Sequence, residues 1–194
     1  MPLKKRNKPR ILLALYARPK HPEVPHYALL VIPKITPHSR QNPIKSPESI
    51  PATKYHIKNT LQRINGKLCQ PWRFDRDIVT DLDRDLGLLV CTVIGKVLSM
   101  KKLERALHKI PIYQVDDCMQ FKARDFDYRM WVKDAVEELQ KLDIIAGVNW
   151  RIADGATKAF LTQKHDQGRW TITSEGRNVP FVPILDLLTG VLVR

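Results

Sequence analysis

The sequence predicts an α+β fold, a mostly antiparallel sheet packed against helices, and three observations carry that prediction. Short runs rich in aliphatic, β-branched and aromatic residues fill the first half of the chain, most of them bounded by proline or glycine. Stretches with apolar residues at helical spacing follow, the first two lying between Ser99 and Leu142. The 194 residues are 43% hydrophobic and 27% charged, which suits one domain around one core. An antiparallel sheet with an apolar face needs that face covered, and the helices are the cover.

The elements follow in order. Ile11 to Ala17 is almost wholly apolar between Pro9 and Pro19 and reads as a strand buried on both faces. His26 to Ile32 reads as a second strand, ended by Pro33. Five prolines interspersed with Ser, Thr and Asn mark Pro33 to Pro51 as a loop. Thr53 to Ile57 alternates as a strand, Gly66 marks a turn, and Trp72 to Val79 carries Trp72, Phe74 and Ile78 at even spacing. Leu88 to Val97 is the strongest strand. Ser99 caps a helix running to about Lys109, with Met100, Leu103, Ala106, Leu107 and Ile110 on one face and Pro111 closing it. Asp125 or Asp127 caps a second helix, whose stripe is Trp131, Val132, Ala135, Val136, Leu139 and Leu142. Trp150 to Gln167 permits a third helix, and apolar character resumes at Val179 to Leu188. The predicted organisation is a basic N-terminal tail, residues 1–10, followed by a single domain over 11–194 with a proline-rich loop at 33–52.

The net charge of +13 is uneven, since residues 1–60 hold twelve Lys and Arg residues against Glu23 and Glu48. Such a surface attracts polyanions through sequence-independent electrostatics, so an anionic small molecule, an acidic protein or non-specific nucleic acid is the expected partner class. No RNP pattern, zinc finger or clear helix-turn-helix accompanies the charge. The longest apolar runs fall short of the roughly 18 residues that span a bilayer, and the N-terminus lacks a secretory pattern. Cys69, Cys91 and Cys118 form an odd set without CxxC spacing, which suggests neither disulfides nor zinc. An intracellular location, cytoplasmic or nuclear, is expected.

Phosphate loops, GxSxG elbows and HExxH helices are absent from the sequence. His21, His38, His108 and His165 have no ligand spacing with one another, so no metal and no cofactor are expected. Asp75, Asp77, Asp81, Asp83 and Asp85 alternate with Arg73, Arg76 and Arg84, and a solvated, salt-bridged connection accounts for them better than a magnesium site, because the EF-hand order is missing.

The chemistry-bearing pattern is long-range. Ala14-Leu15-Tyr16-Ala17-Arg18, the strand His26 to Val31, the pair Tyr55-His56, and the helix start Phe126 to Val136 occur in that order. In this pattern the chain resembles a family of uncharacterised fungal proteins whose corresponding helix opens with an aromatic residue, Asn or Asp, and then Cys. The resemblance covers Arg10 to about Leu139, and more weakly Val182 to Gly190. That pattern is in turn similar to the permuted papain-like fold of the lecithin:retinol acyltransferase-like enzymes. The resemblance implies His26 as base, His56 as the residue that orients it, and position 128 as the nucleophile at a helix N-terminus, where the helix dipole lowers a thiol pKa.

Position 128 is Tyr128. A phenol of pKa about 10 is a poor acyl-transfer nucleophile near neutral pH, so the expectation is a degenerate, non-catalytic site serving as a binding or regulatory pocket. Asp127, as a cap, is no substitute. Two alternatives stand beside it. One is an active hydrolase or acyltransferase using Cys118, which two neighbouring carboxylates disfavour as a thiolate; the other is a nucleic-acid or acidic-partner module built on the basic N-terminal region. Trp131 belongs to the core stripe, and Cys91 to the buried strand.

Overall fold

The computed structural model describes residues 8–33, 49–85, 87–114, 125–169 and 181–193. The strands are β1 (Arg10–Tyr16), β2 (His26–Ile32), β3 (Ala52–Lys58), β4 (Gln62–Ile64), β5 (Lys67–Cys69), β6 (Arg73–Val79), β7 (Leu88–Val97), β8 (Ile145–Gly147), β9 (Ile184–Asp186) and β10 (Val191–Leu192). The helices are α1 (Met100–Leu107), α2 (Tyr128–Lys141) and α3 (Trp150–Asp166). The α+β class is therefore the one the sequence predicts. Arg10, assigned to the tail, is instead the first residue of β1. Most of the proline-rich loop lies outside the described residues.

The main sheet runs in the order β10-β9-β7-β1-β2-β3-β6 and is antiparallel except for the β7–β9 pair, with β8 also pairing to β7. β1 is central because both faces can be buried: Ile11, Leu13 and Leu15 face one way, Leu12, Ala14 and Tyr16 the other. The first set joins Tyr27, Leu29, Tyr55, Ile57, Val90 and Ile94 under the helices. The second packs with Ala28, Leu30, Cys91, Leu82 and Ile184 on the opposite side. Where β8 crosses β7, the backbones approach so closely that a Cβ on Gly147 would stand within 2.8 Å of three Ile94 and Gly95 backbone atoms. Any other residue would force the strands apart.

Ser99 caps α1 and Asp127, not Asp125, caps α2, its carboxylate accepting from Met130 N at 2.7 Å. The stripe Trp131, Val132, Ala135, Val136 and Leu139 is buried as its period requires, whereas Leu142, at the end of the helix, is about half exposed. α3 is pinned to β7 by a 2.5 Å hydrogen bond between Thr92 and Thr157, both fully buried. Ile78, which even spacing sets on the face of Trp72 and Phe74, is 63% exposed; β6 is the sheet edge. Between β3 and β6 the chain forms a separate two-stranded hairpin, β4–β5, turned by Asn65 and Gly66, both with positive φ (48° and 79°).

Candidate functional site

Four strands and one helix bring their ends to one place. β1 finishes at Tyr16, its antiparallel neighbour β2 begins at His26, β3 finishes at Lys58 and β6 begins at Arg73. The residues just beyond these ends, Arg18, Pro25, Asn59 and Trp72, meet the first turn of α2 around a cavity of about 380 Å³.

His26 and His56 have the side-chain parity of Ala28 and Ala52, the face away from the helices, while their neighbours Tyr27, Tyr55 and Ile57 enter the helix-covered core. The antiparallel register that pairs Leu29 with Tyr55 sets the two histidines diagonally on this face. His26 Nε2 lies 3.0 Å from His56 Nδ1, and the rings meet edge to face. His56 Nε2 lies 3.0 Å from Asp77 Oδ2. The polarity of this chain follows from its end. An ionised carboxylate only accepts, so His56 carries its proton on Nε2; its bare Nδ1 then accepts from His26 Nε2–H. His26 Nδ1 is left with the lone pair, free to accept a hydrogen bond.

Burial keeps both rings neutral. It lowers the pKa of His26 to about 3, with His56, Lys54 and Arg18 pushing the same way. His56 is also lowered, mainly by burial and then by Lys54, with Asp77 opposing.

Tyr128 is the first residue of α2, and its ring lies against His26 with centroids 4.1 Å apart. Trp72 packs edge-on at 4.9 Å and the Arg18 guanidinium stands over the ring at 5.1 Å. The phenol does not engage the histidine: its hydroxyl donates to Asn59 Oδ1 at 2.9 Å. Burial raises its pKa, with Arg18 opposing and Asp127 adding to the rise. A protonated hydroxyl directed at an amide oxygen is not a nucleophile. Tyr128 lines the cavity, whereas neither histidine does; the phenol ring separates the base from the open space.

The cavity wall also carries Arg129 and Lys158, both tied to Asp154 at 2.7 and 3.0 Å. Arg18, in contrast, pairs with no carboxylate among the described residues. It is the cation left for a ligand.

The sequence reading placed Asp77 in a salt-bridged connection between strands. The ion pairs are there, with Lys58 on Asp75 and Lys54 on Asp77, but both acids are residues of β6 rather than of a connection, and Asp77 is also the outer member of the histidine chain. Asp81 and Asp83 serve backbone, accepting from Asp83 N and Val182 N respectively. His56, Asp75 and Asp77 offer ligand atoms within 4.8 Å of one another. Lys58 pairs with Asp75 and Lys54 lies 3.6 Å from Asp77, so a divalent ion would have to displace two ammonium groups already in place. Cys91 is fully buried in β7, where burial raises its pKa, and Cys69 sits in the hairpin. Cys118 lies outside the described residues.

Fold and site together define an α+β protein with a mixed, mostly antiparallel sheet that carries a His–His–Asp chain behind the N-terminus of a helix. The model of a family of unknown function, DUF6914, matches residues 8–191, and the chain belongs to that family. No curated protein and no solved structure matches it.

Proposed function

We propose that this protein is a non-catalytic relative of thiol enzymes, built on a permuted papain-like scaffold similar to that of the lecithin:retinol acyltransferase-like enzymes, and that it works by binding a small anionic ligand at the head of α2. The observation that carries the reading is the order of groups along one line: Asp77, His56, His26 and then the ring of Tyr128. A histidine with a free lone pair and an orienting partner is the support a cysteine at position 128 would use, but burial leaves His26 too weak a base for proton transfer near neutral pH. Tyr128 takes that place with its hydroxyl turned to Asn59, which supports binding over acyl transfer.

The ligand chemistry follows from the wall. Arg18 supplies a cation that pairs with no carboxylate among the described residues, and Trp72 and Tyr128 an aromatic surface, while Glu23 and Asp127 also stand on the wall, Asp127 engaged in capping α2. A carboxylate or phosphate monoester with an apolar body fits this combination. Thermal unfolding against a panel of such compounds tests it. A ligand held at about a hundredfold excess over its Kd raises Tm by roughly 5–10 °C, and Arg18→Ala abolishes the rise. If no member of the panel shifts Tm, or the shift survives Arg18→Ala, the ligand class is wrong.

A further inference from the structure

The hairpin β4–β5 is not part of the main sheet, and its apolar side chains have no core to enter. Leu61, Ile64 and Leu68 are 59%, 44% and 64% exposed. The register pairs Arg63 with Leu68 and Ile64 with Lys67, so alternation sets Leu61, Arg63 and Leu68 on one face, and Gln62, Ile64 and Lys67 on the other. One face thus carries Leu61 and Leu68 beside Arg63, and the other Ile64 beside Lys67. From Lys58 to Phe74 the chain contains no Asp or Glu. Arg63 and Lys67 are exposed and pair with no carboxylate among the described residues.

We infer that this hairpin is an interfacial anchor that inserts its tip into an anionic lipid surface. A flat protein partner could cover one face of a projecting hairpin and would leave Ile64, or the two leucines, wet on the other. A fluid interface surrounds the tip and takes up both faces at once. Ile64 and Leu68, nearest the turn, enter the acyl boundary first and Leu61, at the base, last, while Arg63 and Lys67 extend their charged ends back to headgroup level, as long cationic side chains do at such boundaries. Nucleic acid fits less well, because leucine and isoleucine offer no ring on which a base can stack. The hairpin springs from Asn59 and Trp72, both of which line the cavity, so docking brings the cavity mouth close to the membrane. The inference stands independently of what the cavity holds.

Co-sedimentation of the full chain with phosphatidylcholine–phosphatidylserine vesicles, and with pure phosphatidylcholine vesicles, decides the matter. Binding is expected only with the anionic vesicles. Leu61→Ser/Ile64→Ser/Leu68→Ser is expected to weaken it at least tenfold, and Arg63→Gln/Lys67→Gln by roughly fivefold for each cation removed. All five positions are exposed, so the Tm of each variant should match the parent and exclude unfolding as the cause. Binding that survives the serine variant would come from the basic N-terminal region and would overturn the inference. So would equal binding to both vesicle types, or no vesicle binding at all, which would point to an acidic protein as the hairpin's partner.

Discussion

At the scale of single residues, His26 and His56 illustrate what one sequence can and cannot reveal. Both were legible as candidates because the strand-and-helix pattern of the resemblance picks them out, and the structure places them in direct hydrogen-bond contact. Asp77 was not, although a signal existed. Phe74 turns toward the helices, so alternation along β6 sends Asp75 and Asp77 to the face that His56 occupies. What the sequence lacks is the register between β3 and β6, separated by a hairpin, and register decides which acid meets which histidine. The buried histidines also give stability a pH dependence. His26 has a folded pKa near 3 against an ordinary value of 6.5, so the unfolded chain binds the proton first. Its contribution is complete above pH 6.5 and is lost as pH falls toward 3. Urea unfolding at pH 7 and pH 5 should differ by about 2 kcal/mol from this residue, and His26→Gln should make the dependence shallower. A parent protein equally stable at both values would contradict the burial of a neutral imidazole.

At the scale of elements, the second helix was the most legible feature, since cap and stripe agree on its limits. The reason its first turn stays in place was less accessible. Asp154 on α3 accepts from buried Tyr27 on β2 at 3.0 Å and from Arg129, the second residue of α2, at 2.7 Å. Burial works against ionisation of Asp154, but bonds from Arg129, Lys158 and Tyr27 outweigh it and hold the carboxyl below the usual range. One carboxylate therefore ties together a strand, the helix bearing Tyr128 and a neighbouring helix. Asp154→Ala leaves the Tyr27 hydroxyl buried without an acceptor and should cost about 2 kcal/mol, read by urea unfolding, with Asp154→Asn costing less because it can still accept from Tyr27. The hairpin β4–β5 was missed except for Gly66. Asn65-Gly66 is a strong turn signal, but its flanks, Gln-Arg-Ile and Lys-Leu-Cys, lack the pattern of strands that bury a face.

At the scale of the whole molecule, the α+β class and the order of the main strands were legible because each strand is a dense apolar run between breakers. The return of β9 alongside β7 was not, since three residues, Ile184–Asp186, pair in parallel with a strand more than eighty positions earlier in the chain. The same architecture explains why the site is where it is. A sheet buried on both faces has little room for polar chemistry within it, so the functional groups gather where four strands end and α2 begins. The central claim is that position 128 lies at the focus of a base still set for a thiol. The most direct test is Tyr128→Cys, with the alkylation rate of position 128 followed by peptide mass spectrometry as a function of pH. Removing the phenol ring that packs on His26 opens the imidazole to the cavity and relieves the burial that weakens it as a base, so the account predicts a thiol that titrates well below the ordinary value of about 8.5 and returns toward it when His26→Ala is added. A thiol that titrates normally, or one indifferent to His26→Ala, would contradict it.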